Sequence, residues 1–146
     1  MGLDARTLPA RPGAYLMTVR LEQPLDLDAR GIGATTLAPG TYVYCGSARG
    51  PGGIRVRIAH HLRAEKRAHW HIDRLTAAGR VTAVAAAPEG SECALFAAVS
   101  GLRGASVPAP GFGSSDCRSC AAHLVRIDDE ILAGADLGPT LHWLKS

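Results

Sequence analysis

The chain has 146 residues, of which 47% are hydrophobic and 20% are charged. This length and composition fit one globular domain and exclude a disordered chain or a pair of full domains. Four cysteines are too few for a secreted disulfide scaffold. The N-terminus does not have the charged and apolar regions typical of a signal peptide, and no apolar run reaches the roughly 20 residues of a membrane helix. We therefore expect a reduced, cytoplasmic protein with no membrane partner.

The positive charge of the chain is concentrated in one segment. The formal net charge is +3 for the whole sequence. The segment from Arg49 to Arg74 alone has seven basic residues and two acidic ones, a local net charge of +5, and four of the six histidines. Such a segment predicts an anionic partner that binds at one place.

The N-terminal part of the chain predicts an antiparallel pair of strands. Residues 1–12 have no periodicity and are expected to form a loose lead-in. A strand is expected over 14–21, where a glycine precedes a β-prone run. Residues 22–38 are polar and mixed, which indicates a loop or an irregular extension of that strand. The β-branched and aromatic residues of 41–45 predict the second strand.

Helical periodicity begins inside the basic segment. Ile54, Ile58 and Leu62 repeat every four residues, which predicts a basic helix over 54–67 with one apolar stripe. A further short helix is expected over 71–78, where the following glycine ends it.

The C-terminal half predicts two more strands and one more helix. A third strand is expected over 81–87, and Ser91 is a suitable N-cap for the helix that follows it. Residues 103–115 are rich in Gly, Pro and Ser and are expected to form a loop before a fourth strand over 123–127. This order of elements fits a single α+β domain.

Glu92 is the most informative single position. It lies on the same helix ridge as Leu95, Phe96 and Val99, which are expected to face the core. A carboxylate beside an apolar stripe is costly unless it is paired or bound to a metal ion. A glutamate in a first helical turn also favours the helix dipole, so a purely structural role stays open.

Arg57 and His61 lie one helical turn apart and can face the same phosphate. The guanidinium is suited to hold the phosphate, and the imidazole is suited to donate or accept a proton. A solvated helix face is the alternative, but the local positive charge favours phosphate. Tyr15 and Tyr44 lie in neighbouring predicted strands and become relevant to the chemistry if their hydroxyls converge there.

Cys117, Cys120 and His123 have a spacing that occurs in metal sites. A structural zinc would need a fourth ligand, such as Cys93 or a helix histidine. Because no second CxxC pair accompanies the first, we expect a reduced pair of thiols without zinc.

Two further segments have candidate nucleic-acid contacts. In 69–71, two histidines flank Trp70, which either packs in the core or stacks on a base. The loop 111–116 is glycine-rich and polar and is suited to contact a phosphate backbone, although it does not have the strand–helix setting of a phosphate-binding loop.

Taken together, these segments resemble the GIY-YIG endonuclease family. The first motif corresponds to residues 13–15, the second to 44–46, and the arginine helix to 57–62. Glu92 falls in a later helix, where that family has its metal-binding glutamate. The late asparagine of the family has no evident counterpart in this sequence.

One branch of that family, the small stand-alone Uri-superfamily endonucleases, is the most similar. It has segments similar to His69–Asp73 and Gly111–Cys117. The resemblance implies an α+β fold with a central three-stranded antiparallel sheet flanked by helices and an additional C-terminal strand. The nuclease-like domain would then span 13–130, with the lead-in before it and a C-terminal tail over 131–146.

The resemblance also implies hydrolysis of phosphodiester bonds in DNA. One divalent ion, Mg²⁺ or Mn²⁺, would be held by Glu92, and Arg57 would neutralise charge that develops on the phosphate. Tyr44 would position or deprotonate the attacking water with the support of Tyr15. Because a phenol is a weak base at pH 7, His61 is the alternative general base.

The basic residues and the polar loop are expected to contact the nucleic acid. The residues concerned are Arg49, Arg55, Arg63, Lys66, Arg67, His69, His71, Ser114 and Ser115. With no attached specificity domain, we expect weak sequence preference and recognition of single-stranded, branched or duplex DNA. RNA as a substrate, and the oligomeric state, stay open.

Two other functions remain as alternatives. One is a nucleic-acid-binding module that has the same fold and no catalytic activity. The other is a small zinc-binding interaction domain organised by Cys117, Cys120 and His123.

Overall fold

An antiparallel sheet organises the fold of this protein. The computed structural model describes residues 3–29, 32–63, 71–112, 122–138 and 141–145. Its long strands are β1 (Gly13–Leu21), β4 (Gly40–Ala48) and β5 (Arg80–Pro88), and its short ones are β6 (Leu124–Arg126) and β7 (His142–Lys145). The spatial order is β6-β4-β1-β5-β7. The expected α+β class is confirmed, with five strands in this sheet instead of the three or four expected.

Four helices and a separate ribbon complete the described fold. The helices are α1 (Gly53–Leu62), α2 (His71–Ala78), α3 (Glu92–Ser100) and α4 (Asp129–Ala133). The ribbon joins β2 (Leu25–Ala29) to β3 (Gly33–Leu37).

Both faces of the sheet are buried. Successive side chains of β1 point to opposite faces, and each face packs in a core of its own. Tyr15 and Met17 belong to one buried cluster, which includes Ile58 of α1. Leu16 belongs to the other, which includes Leu95 and Val99 of α3. Helices therefore cover both faces, and the start of α1 and the start of α3 approach the same end of the sheet.

Residues 22–38, expected as a loop or an irregular extension of the first strand, instead contain β2 and β3. The sequence of β2, Leu25–Ala29, alternates apolar and acidic residues, and its Leu27 is buried against the first core. Alternation with period two is typical of a strand with one buried and one solvent-exposed face. The sequence therefore indicates this strand, but only over five residues.

Both ends of the chain contribute more structure than expected. The expected lead-in has Leu8 in the core, and the carbonyls of Pro9 and Arg11 accept hydrogen bonds from the first turn of α1. In the expected tail, β7 pairs with β5 and makes one edge of the sheet.

The first helix is shorter than the predicted 54–67. It ends at Leu62, and Arg63 has the extended backbone of a C-cap. Lys66 and Arg67 lie outside the described residues. No helix in the described ranges is long and apolar enough to cross a membrane.

Candidate active site

Tyr15 and Tyr44 meet on one face of the sheet. They lie on the paired strands β1 and β4, and their ring centroids are 6.2 Å apart. Gly46, which pairs with Tyr15, leaves the space that the rings occupy. A Cβ at this glycine would lie 2.5 Å from the Tyr15 hydroxyl and 2.8 Å from Cε2 of Tyr44. The glycine of the second motif is therefore required by close packing between the two tyrosines.

Helix α1 brings His61 onto the tyrosine pair. The chain enters this helix through Gly52 and Gly53, which both have left-handed backbone conformations with φ of 83° and 60°. The helix then runs under the sheet, and His61 Nε2 lies 2.6 Å from the Tyr15 hydroxyl. The ring of His61 is 6.2 Å from that of Tyr44. His61 is only 2% exposed, so it does not present a ring nitrogen to bulk water.

Arg57 lies one turn before His61 and is half-buried. Its Nη1 donates to the carbonyl of Ser47 at the end of β4, at 3.2 Å. This bond fixes the guanidinium beside the strand that carries Tyr44. Its positive charge opposes the rise in pKa of both Tyr15 and Tyr44.

Glu92 is the first residue of α3, and the side chain of Ser91 caps that helix as expected, accepting from the amide of Ala94 at 3.3 Å. The Glu92 side chain is 28% exposed, whereas Leu95, Phe96 and Val99 are buried. The carboxylate is thus at the surface edge of the helix.

The charges of Glu92 and Arg57 both affect the pKa values of the two tyrosines. Burial raises the pKa of Tyr15 well above its usual value, and the nearby Tyr44 phenol adds to the rise. Burial also raises the pKa of Tyr44, and repulsion from the Glu92 carboxylate adds to it. The neutral phenol is therefore the stable form of both side chains, and a base or cation is needed before either loses a proton.

His123 stands beside Glu92. Its Nδ1 is 3.7 Å from Glu92 Oε2, and its Nε2 is 3.9 Å from the sulfur of Cys93. Cys117 and Cys120 lie outside the described residues, so the zinc alternative stays a prediction. Within the described ranges, no group of three or more His, Cys, Asp or Glu side chains is arranged to hold a metal ion.

The residues expected to contact nucleic acid differ in their exposure and in their contacts with the rest of the protein. Arg49 and Arg63 are exposed, one after β4 and the other after α1. Arg55 has a structural contact, since its Nε donates to the carbonyl of Leu8 at 2.8 Å. His71 is half-buried, with its ring 5.5 Å from that of Phe112. Outside the described residues lie Lys66, Arg67, His69, Ser114 and Ser115.

Asp73 is a part of the site that the sequence did not single out. It lies in the first turn of α2, is 1% exposed, and its Oδ1 is 3.8 Å from His61 Nδ1. The same oxygen is 3.5 Å from Nε2 of His60. An acidic residue in a first helical turn is usually explained by the helix dipole, so its burial had no distinct signal in the sequence.

A cavity of about 600 Å³ lies at the opposite end of the sheet, between β5, β7 and α4. Arg20, Arg80 and Lys145 line it together with Glu22 and Asp129. It contains none of the candidate site residues. The tyrosines, His61 and Glu92 lie instead toward the end of the sheet where β1 begins.

A family model for a domain of unknown function, DUF123, matches residues 14–137. The chain belongs to this family. The DUF123 match includes Tyr15, Tyr44, Arg57, His61 and Glu92, and its description states no activity. Neither the curated proteins nor the solved structures gave a match.

Proposed function

We propose that this protein is a metal-dependent endonuclease that hydrolyses phosphodiester bonds in DNA, with the GIY-YIG type of site. The main support is the convergence of its candidate catalytic residues. Tyr15, Tyr44 and His61 come from two strands and a helix and have ring centroids within 6.2 Å of one another. The charges of Arg57 and Glu92 act on the same two phenols.

Glu92 is the residue that would hold the divalent ion. Mg²⁺ and Mn²⁺ accept a partly exposed carboxylate with water and phosphate oxygens as the remaining ligands, so one protein carboxylate is a sufficient donor set. When bound, the ion would stabilise negative charge on the phosphate and on the leaving oxygen. Cys93 and His123 are beside Glu92, but Mg²⁺ prefers oxygen ligands to sulfur and imidazole.

Arg57 would bind the phosphate that is attacked. The guanidinium is a planar group with five donors, a form suited to phosphate, and its hydrogen bond to the Ser47 carbonyl holds it beside the strand that carries Tyr44. A positive group held in place before the reaction stabilises the charge that develops as water attacks phosphorus and the bond to the leaving oxygen breaks.

The two tyrosines and His61 would have different tasks. Tyr44 is more exposed than Tyr15, at 8% against 1%, so we assign the contact with the attacking water to Tyr44. His61 is hydrogen-bonded to the Tyr15 hydroxyl and is buried. We therefore infer that His61 acts through Tyr15 and does not remove a proton from water directly.

The test is a cleavage assay with labelled single-stranded, duplex and branched DNA and matched RNA, in Mg²⁺, Mn²⁺ or chelator. We expect metal-dependent cleavage of at least one DNA substrate. Arg57→Gln should lower kcat by about 100-fold or more, as loss of a preorganised charge does.

Arg74→Gln is the matched control, because Arg74 is an exposed arginine of α2 in the same basic segment. It should leave kcat within about twofold of wild type, as surface substitutions usually do. Absence of cleavage with every substrate, or normal cleavage by Arg57→Gln, would contradict the proposal. DNA binding without cleavage would instead favour the inactive binding module.

A further inference from the structure

A buried chain of polar side chains runs from Tyr15 into the space between α1 and α2. The Tyr15 hydroxyl lies 2.6 Å from His61 Nε2, and His61 Nδ1 on the other side of the ring lies 3.8 Å from Asp73 Oδ1. All three side chains are 2% exposed or less. We refer to these three residues as the Tyr15–His61–Asp73 chain.

The order of groups in this chain gives it a direction. A carboxylate only accepts hydrogen bonds, so the ring nitrogen that faces Asp73 is the one that should have the hydrogen. Neutral imidazole has a single N–H, which leaves His61 Nε2 as the acceptor for the Tyr15 hydroxyl. Burial lowers the pKa of His61, which favours this neutral ring.

We propose that Asp73 is a positioning residue that fixes His61 in the tautomer protonated at Nδ1, so that Tyr15 donates its hydroxyl hydrogen to His61 Nε2. The effect of this on catalysis rests on the proposed nuclease function, whereas the tautomer itself does not.

The Tyr15 oxygen stays available to the site when Tyr15 is the donor to His61. When Tyr15 donates to His61, the lone pairs of its oxygen are free to accept from the Arg57 guanidinium, whose hydrogen bond lowers the pKa of Tyr15. With the opposite tautomer, Nε2 would donate to the same oxygen and compete with the guanidinium for its lone pairs. The tautomer with Nδ1–H therefore favours both contacts.

His60 is the competitor for Asp73. Its Nε2 is 3.5 Å from the same Oδ1, and its side chain is 25% exposed. Among the described residues, Arg57 and the two tyrosines are further charged or titratable groups close to His61. His60 is partly exposed to water, whereas His61 is buried. Substitution of His60 therefore changes the surroundings of Asp73 without removing a member of the Tyr15–His61–Asp73 chain, and it serves as the control.

The test is the tautomer of His61 in ¹⁵N-labelled protein without nucleic acid, measured by long-range ¹H–¹⁵N correlation and assigned with His61→Gln. In wild type at pH 7.5, Nδ1 should be protonated and Nε2 should not. Asp73→Asn should shift His61 toward the other tautomer, and the control His60→Gln should leave it unchanged. An Nε2–H tautomer in wild type overturns the proposal even if Asp73→Asn does not fold, and so does a folded Asp73→Asn with the wild-type tautomer.

Cleavage kinetics give the second readout. Asp73→Asn should lower kcat by about 10- to 100-fold with KM within about twofold, since loss of a residue that orients a ligand has effects of this size. His60→Gln should retain the wild-type kcat. If wild type shows no cleavage but has the expected tautomer and shift, the nuclease function fails and the role of Asp73 in orienting His61 stands. If cleavage occurs and Asp73→Asn retains full kcat, the positioning role fails and the nuclease stands.

Discussion

Gly46 keeps the two tyrosines together, because the space where its side chain would be is filled by their rings. A Cβ there would lie 2.5 Å from the Tyr15 hydroxyl and also in contact with Tyr15 Cζ. We expect Gly46→Ala to lower the free energy of unfolding by about 1 to 3 kcal/mol, the usual cost of overpacking. Cleavage should fall with it, because the rings must separate.

Gly50→Ala is the control for this substitution. Gly50 follows the same strand, and a Cβ there would meet nothing within 4 Å. Urea unfolding measured on both variants should show the loss only for Gly46→Ala. Equal stability of the two variants would contradict the packing of the tyrosines described above.

His61 makes stability depend on pH. Burial lowers its pKa in the folded protein, whereas in the unfolded chain it titrates near 6.5. Below about pH 6.5 the unfolded state therefore binds a proton that the folded state does not, and stability falls as pH falls. One such proton changes the free energy of unfolding by at most about 1.4 kcal/mol per pH unit.

The measurement is urea unfolding of wild type and His61→Gln at pH 7, 6 and 5. Wild type should lose more stability than His61→Gln, by on the order of 1 kcal/mol between pH 7 and pH 5. His142→Gln replaces an exposed histidine and serves as the control. Curves for wild type and His61→Gln that stay parallel would show that His61 is protonated equally in the folded and unfolded states.

At the scale of elements, Arg55 joins α1 to the N-terminal segment. Its Nε donates to the carbonyl of Leu8, and its amide donates to the carbonyl of Pro9 at 3.1 Å. We expect Arg55→Ala to lower the free energy of unfolding by about 1 kcal/mol, because one hydrogen bond from a charged group is lost. Arg55 is exposed, but its effect on DNA affinity should be smaller than that of Arg49→Ala, since the hydrogen bond to Leu8 holds its guanidinium against the N-terminal segment.

Arg49→Ala is the comparison, because Arg49 is exposed just after β4. It should leave thermal stability unchanged, weaken DNA binding and reduce the salt dependence of the affinity by about one phosphate contact. Fluorescence anisotropy at several salt concentrations measures this. A larger loss of DNA affinity for Arg55→Ala than for Arg49→Ala would reverse the roles assigned to these two arginines.

The elements that could be predicted are those with long or well-capped patterns. The three central strands and α2 were predicted within three residues at each end, because β-prone runs and glycine or proline stops mark them. The ribbon over 25–37 and β7 were missed. Each of their strands has five residues or fewer and alternates only briefly, so the apolar pattern does not distinguish them from loop.

For the molecule as a whole, the sequence suggests the five proposed catalytic residues, but it does not show their arrangement. The contact of Tyr15 with His61 joins positions 46 residues apart, and no local pattern encodes that pairing. The burial of Asp73 likewise depends on how α2 packs beside α1. The position of Arg55 against Leu8 is of the same kind, because a local basic pattern does not show which arginines face the protein.

The proposed role of Glu92 as the ligand of the divalent ion is tested by the cleavage rate of Glu92→Gln. Its matched control is Glu89→Gln, because Glu89 lies three residues earlier, is 79% exposed and pairs with Arg11 at 3.0 Å. Both variants should fold as wild type does, as judged by circular dichroism. In Mg²⁺ or Mn²⁺, Glu92→Gln should lose at least about 100-fold in cleavage rate, whereas Glu89→Gln should cleave normally. If Glu92→Gln cleaves DNA at the wild-type rate, Glu92 does not hold the ion.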